Sequence, residues 1–210
     1  RVTRAGRSAA PGPAWSSLQR DPGPLPALDR PVPRVARALL GCRLVSTVGG
    51  ECVEGVIVET EAYLGADDPA SHAATRTGVT DRNRAMFGPA GRVYVYRSYG
   101  VHWCLNIVAG SDGEAGAVLI RGLDLIEGEE IARERRGGAS LLTRGPGRLA
   151  AALGVTDVLY GHDLREEPLR LRPGWRVDDE RVVVTPRIGI RKARERLLRY
   201  HVRGSPGVSR

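Results

Sequence analysis

The chain has 210 residues, enough for one well-buried core, and its 41% hydrophobic and 27% charged content excludes a disordered or fibrous protein. Its formal net charge is +8, and of the 32 basic residues only Lys192 is a lysine. Three widely spaced cysteines (Cys42, Cys52, Cys104), no C-x-x-C or H-x-x-x-H pair and no apolar run of membrane length speak against a disulfide framework, a metal site or a membrane span. The expectation is therefore a cytoplasmic, soluble chain with buried free thiols and no metal or other cofactor.

Residues 1–29 carry Pro11, Pro13, Pro22, Pro24 and Pro26 among scattered arginines, without an apolar period. They read as a disordered or loosely draped basic arm, and residues 30–210 as a single domain. Pro31 and Pro33 precede a short helical pattern over 35–40, stopped by Gly41. Runs at 42–48 and 53–63, separated by Gly49–Gly50, predict a β-hairpin. Residues 64–91 form a long loop, of the length that in a compact domain usually carries function. Three strand-like runs follow at 93–99, 102–108 and 117–126. Residues 127–136 predict a charged helix with Glu129 and Arg133 at i,i+4 spacing, and 146–153 a second helix. Strands return at 169–172, 182–186 and 198–202. Hairpins dominate and no βαβ alternation appears, so the fold class is α+β: a curved, mainly antiparallel sheet flanked by short helices.

Chemistry-bearing residues concentrate in the first half of this pattern. VETEAYLGADDPASH (residues 58–72) puts Glu59, Glu61, Tyr63 and His72 within fifteen positions. On an extended chain Glu61 and Tyr63 project to one side. VYVYRSYG (93–100) holds three of the six tyrosines, Tyr94, Tyr96 and Tyr99. β-favouring residues filling a core and a stacking platform for bases are both open readings of that stretch. Asn106 interrupts an apolar strand, where an amide must be satisfied or must read something. Arg121 interrupts another and needs a carboxylate, Glu59 or Glu61 by pattern. A structural ion pair explains Arg121 as well as a functional one. Core packing is expected for His102 and Cys104. The arginine-rich balance suits phosphate, though charge alone leaves an inert basic surface open.

The segments RPVPRVARALLG, VETEAYLGADDPASH, RNRAMFGPAGRVYVYRSYGVHWCLNIV, GAVLIRG, RGPGRLAAALG and YHVRGSP, in this order, resemble the 3-methyladenine (alkyladenine) DNA glycosylase family. The resemblance implies a monofunctional base-excision enzyme that flips a damaged purine out of duplex DNA and hydrolyses its N-glycosidic bond. By position in these motifs, Glu61 would be the general base and Arg121 would help hold the attacking water. Tyr63, His72 and Tyr96 would enclose the base, and the bulk of Asn106 would obstruct a guanine 2-amino group. Tyr99 would be the wedge that fills the gap in the duplex. Arg82 and Arg84, with Arg148 beside Gly145–Pro146–Gly147, are candidate phosphate contacts. The implied partner is double-stranded DNA containing damaged purines, approached by a monomer. Two other readings compete: a catalytically silent lesion-DNA-binding protein and a nucleoside N-glycosidic hydrolase.

Overall fold

The computed structural model describes Trp15 and residues 23–73 and 78–209. Helix α1 (Val32–Ala38) buries Val32, Val35 and Ala36, the i, i+3, i+4 stripe of an amphipathic turn. It begins three residues before the predicted pattern, because Pro33 sits in the first turn, where no backbone N–H is required. Strand β1 (Arg43–Ser46) turns through Gly49 and Gly50, at φ of 76° and 85°, into β2 (Val53–Tyr63). These two strands form the antiparallel hairpin the sequence predicts, with Arg43 opposite Val56.

Strands β3 (Val93–Ser98), β4 (His102–Val108) and β5 (Ala117–Glu127) follow as an antiparallel meander. Helix α2 (Glu129–Arg135) carries the Arg133–Glu129 pair at 2.6 Å, and α3 (Pro146–Ala152) follows it. Strands β6 (Leu169–Arg172), β7 (Val182–Thr185) and β8 (Arg199–Val202) complete the elements.

Among the described residues the eight strands make one curled sheet, β3-β4-β5-β2-β1-β6, with β8 joined to β2 and β7, and every pairing is antiparallel. The eleven-residue β2 is its spine. β5 runs along one edge of β2, and β1 and β8 share the other. Ten of the eleven β2 residues are buried, so the strand has no solvated face to reveal its orientation.

Alternation sorts what these strands offer to each side. Thr60 points to the helical side, where its hydroxyl donates to the Ala36 carbonyl of α1 at 2.8 Å. The main core on that side includes Leu39, Ile107, Ile120 and Leu149. Glu59, Glu61 and Tyr63 take the opposite parity. The β2–β5 register shifts between Ile57 and Thr60, so Arg121 has no Cα partner across the ladder, whereas Ile120 faces Thr60 and Gly122 faces Glu59. An unpaired residue at such an irregularity is re-aimed, and Arg121 leans over both acids.

The described parts of the 64–91 loop, residues 64–73 and 78–91, lie against the sheet as a wall and include a short 3₁₀ turn, Arg84–Phe87. Met86 is buried in a second, smaller core with Ala85, Tyr94, Val108 and Ala117. The arm expected over 1–29 lies mostly outside the described residues. Trp15, which belongs to it, is buried; its indole donates to Asp124 Oδ2 at 2.7 Å, and its ring lies 5.5 Å from that of Trp175. Cys42 and Cys104 are buried free thiols, as expected, but Cys52 is only half-buried, since it enters β2 from the exposed Gly50–Glu51 turn. Burial pushes the Cys42 thiol up to about 12. Among the described residues no helix is long and apolar enough to cross a membrane.

Candidate active site

The inner curve of β2, β3, β4 and β5 and the folded-over loop enclose a cavity of about 430 Å³. Tyr63, His72, Arg82, Tyr94, Tyr96, Tyr99, Cys104, Asn106 and Arg121 all line it, together with Ile188, Gly189 and Ile190. Eight of the ten residues expected at a site thus meet at one place, with Glu61 directly beneath the lining. Arg84 is exposed and pairs with Asp81 at 3.7 Å, and Arg148 is exposed and donates to the Arg144 carbonyl at 3.1 Å. Neither reaches the cavity. Both lie on the outer surface, which phosphate contact would require.

Glu61 has no exposed surface. Its Oε2 accepts from the Tyr63 hydroxyl at 2.9 Å and from Arg121 Nη1 at 3.4 Å, and its Oε1 from the Ile188 N–H at 2.7 Å. Burial nonetheless outweighs these donors and raises the Glu61 carboxyl above its ordinary range. Glu59, two residues earlier and equally buried, goes the other way: burial pushes it up, but the Ser209 N–H, Arg121 and Arg199 together hold it below its usual value. Two acids of one strand are thereby separated, one held firmly ionised and the other kept closer to accepting a proton. That division is what an acid–base site needs.

The ring wall is built from paired registers. Tyr94 lies opposite Asn106 and Tyr96 opposite Cys104 across the β3–β4 ladder. The Tyr94 and Tyr96 rings sit 5.6 Å apart, and His72 meets Tyr96 edge-on at 4.5 Å and 82°. His72 Nδ1 is 2.8 Å from the Tyr94 hydroxyl. Burial, and then the charge of Arg82, lower the His72 pKa, so the imidazole is neutral near pH 7. Burial likewise raises the Tyr94 hydroxyl well above its ordinary range, against the lowering charge of Arg82. Asn83 Nδ2 fixes the same residue by donating to the His72 carbonyl at 3.1 Å. Asn106 Nδ2 donates to the Tyr94 carbonyl at 3.0 Å, so the amide is satisfied and held rigidly at the cavity wall.

Two sequence expectations change here. Cys104 is buried but lines the cavity instead of the core, because it shares parity with Asn106 and not with Leu105. His102 is exposed rather than core, since it opens β4 immediately after the hairpin turn.

Other participants carried no signal in the sequence. Arg187 is fully buried, bonded to both oxygens of Asp68 at 2.6 and 2.8 Å and to the Ala62 carbonyl at 2.9 Å, with its guanidinium 4.7 Å from the Tyr63 ring centre. This anchor, 119 residues from its acid, carries the segment whose Ile188 N–H meets Glu61. Removing one partner leaves the other buried and unpaired, so Asp68→Asn should cost about 3–5 kcal/mol in urea unfolding; an unchanged midpoint would disprove the anchor. Asp68 and Glu59 are both held below their unfolded values of 3.8 and 4.5. Their stabilisation is therefore present above that range and lost as the pH falls through the lowered folded values. Glu61, raised, has the opposite sign.

Tyr99 stands at the tip of the β3–β4 hairpin, 89% exposed, with φ of +51° ahead of Gly100 at +71°. A large apolar ring in a left-handed conformation, held out of the protein beside a tyrosine-walled cavity, has no packing role to explain it.

Sequence comparison joins this geometry to a family. The family model described as methylpurine-DNA glycosylase matches residues 26–206. The chain belongs to that family. Relatives named "putative 3-methyladenine DNA glycosylase" extend over nearly the same span. The one from Methanoculleus marisnigri is 45% identical over 87% of this chain and 95% of its own. That of Nitrosospira multiformis is 47% identical over 84% and 88%, and that of Rhodopseudomonas palustris 48% over 86% and 87%. The matches span the cavity strands and the loop across them. Among the described residues no group of three or more His, Cys, Asp or Glu side chains has metal-binding geometry.

Proposed function

We propose that the protein is a monofunctional DNA glycosylase that flips alkylated or deaminated purines out of the duplex and hydrolyses their N-glycosidic bond with a water activated by Glu61. The lesions in view are of the 3-methyladenine, 7-methylguanine, hypoxanthine and ethenoadenine type. The observation that carries this reading is the position of one buried, raised carboxylate directly under a cavity walled by tyrosines, with an exposed tyrosine at its lip.

Each part has a task in that reaction. Extrusion costs a few kcal/mol of stacking, which Tyr99 offsets by filling the vacated gap. The extruded purine stacks against Tyr63 and Tyr96, and alkylation at N3 or N7 makes it cationic and attractive to ring faces. A cationic base also leaves without prior protonation. As the glycosidic bond breaks, its electron pair goes to the base and the sugar gains positive charge, which the ionised Glu61 stabilises. Water then attacks C1′ while Glu61 takes its proton. Arg121 offsets the burial of that carboxylate and stands beside the water. Asn106, locked by its own bond to Tyr94, excludes a substituent at the 2-position of the purine, as in guanine.

The test is incubation in EDTA with a hypoxanthine-containing duplex and, separately, with free inosine. Abasic product from the duplex alone is expected. Binding without product would indicate a lesion-DNA-binding protein, and cleavage of inosine a nucleoside hydrolase. Lys192, the sole lysine, lies in the exposed Arg191–Arg196 stretch outside the cavity lining, so borohydride should trap no covalent protein–DNA adduct. A robust adduct would sink the monofunctional reading.

A further inference from the structure

Behind Glu61 lies an ionic cluster closed by a residue far along the chain. Glu59 Oε1 accepts from Arg121 Nε at 3.1 Å, Arg199 Nε at 2.6 Å and Ser209 Oγ at 2.7 Å, and Oε2 from the Ser209 N–H at 2.6 Å. Ser209 is engaged through all its polar groups: its hydroxyl oxygen also accepts from Arg121 Nη2 at 3.2 Å, and its carbonyl from Arg199 Nη2 at 2.9 Å.

The segment leading to it is pinned against β5. Asp124 accepts from the Gly207 N–H at 2.8 Å and from the Ser205 hydroxyl, and Arg144 Nε donates to the Pro206 carbonyl at 3.1 Å. A Cβ on Gly207 would lie 2.2 Å from the Leu123 carbonyl oxygen, and one on Gly122 would lie 2.3 Å from that of Gly207. Only two glycines let the strap approach this closely.

The guanidinium of Arg121 is consequently held at three points: Nε by Glu59, Nη1 by Glu61 and Nη2 by Ser209. The Glu61 contact, at 3.4 Å, is the longest of the three. A guanidinium fork that loses its Nη2 partner can turn Nε and Nη2 together onto a single carboxylate. Here that carboxylate is Glu59, and the turn would draw Nη1 away from Glu61. We propose that Ser209 is a positioning residue for hydrolysis, its hydroxyl occupying Glu59 and Arg121 at once so that Arg121 stays against Glu61. This rests on the role proposed for Glu61.

The groups facing the two acids are Tyr63 from β2, Tyr96 from β3, Arg121 from β5, Arg187 beside Ile188, and Arg199 and His201 from β8. Of these, Arg121 is the one Ser209 touches that also acts on Glu61. Losing its hold should therefore displace the acid limb of the excision rate, which reports ionisation of Glu61, to higher pH.

The experiment is single-turnover excision of 7-methylguanine, which leaves without protonation, from a duplex across pH by the full chain carrying Ser209→Ala, Ser209→Cys or Ser209→Thr. Duplex affinity and thermal melting are measured in parallel. Ser209→Ala should lower the rate about tenfold, the share of one hydrogen bond to a charged group, and move the acid limb upward at unchanged duplex affinity. Ser209→Cys, with a weaker donor, should fall between, and Ser209→Thr should restore both. A wild-type rate and limb in Ser209→Ala would overturn the inference. So would a loss of activity that follows the folded fraction or the affinity while the limb stays in place. Glu61→Gln run alongside separates the two ideas: activity in that variant removes the role of Glu61, whereas its inactivity beside a wild-type Ser209→Ala removes only the role of Ser209.

Discussion

Glu61→Gln should bind a lesion-containing duplex with wild-type affinity and excise the base about 10²–10⁴-fold more slowly in a single turnover, the range over which positioned general bases contribute. Shape is kept and only proton acceptance is lost, so the loss falls on the chemical step. The present carboxylate receives three donors, from Tyr63, Ile188 and Arg121. A glutamine offers one acceptor oxygen, and its NH₂ must then face a donor. An unsatisfied donor in a buried site costs about 1–3 kcal/mol, so the melting temperature should fall by a few degrees, too little to account for the lost rate.

A second signature comes from pH. Burial raises the Glu61 carboxyl above its ordinary value, and the base must be ionised to accept a proton. With an N7-methylated guanine, which leaves without protonation, the wild-type rate should rise as Glu61 ionises, through a midpoint above the usual glutamate range, and then level off. The residual rate of Glu61→Gln should not follow that limb. A Glu61→Gln variant that excises at the wild-type rate, or keeps the limb, would mean that the proton goes elsewhere. Glu59 would not be the substitute, because Ser209, Arg121 and Arg199 hold it firmly ionised.

What the sequence displayed and what it concealed divide along physical lines. Strands with alternating parity can be read because spacing within one strand fixes which residues share a side: Glu61 with Tyr63, Tyr94 with Tyr96. The requirement that a buried arginine find a carboxylate pointed Arg121 toward Glu59 and Glu61, and both contacts form. Ser209, Arg187, Asp68 and Ile188 could not be read, because each acts through contacts 88 to 150 residues away whose register no local pattern encodes. The Arg121 irregularity belongs to this second group. Its sequence context, an apolar run, is that of an ordinary ladder residue, and only pairing with β2 leaves it without a partner. Parity says which side a residue takes but not whether its strand has yet entered the sheet, which is why His102 is exposed where core packing is expected.

Tyr99 is where fold stability and DNA chemistry should pull apart. A left-handed φ costs a non-glycine residue about 1–2 kcal/mol, and at 89% exposure the ring recovers almost none of this by burial. Tyr99→Gly relieves the strain and adds back about 0.5–1 kcal/mol of unfolded-chain entropy. The melting temperature should therefore stay level or rise slightly. On a lesion duplex the same change removes the ring proposed to fill the gap, so extrusion should lose about 2–3 kcal/mol of its compensation and excision under subsaturating conditions should drop about 30- to 150-fold. A single-stranded oligonucleotide with the same lesion has little stacking to break, and there the variant should approach the wild-type rate. If Tyr99→Gly instead lost stability, or slowed excision equally on both substrates, the tyrosine would be a structural residue at the hairpin tip and the wedge would have to be sought elsewhere on the cavity rim. Retained strain at an exposed aromatic ring is the signature of a residue kept for a surface the protein does not itself supply.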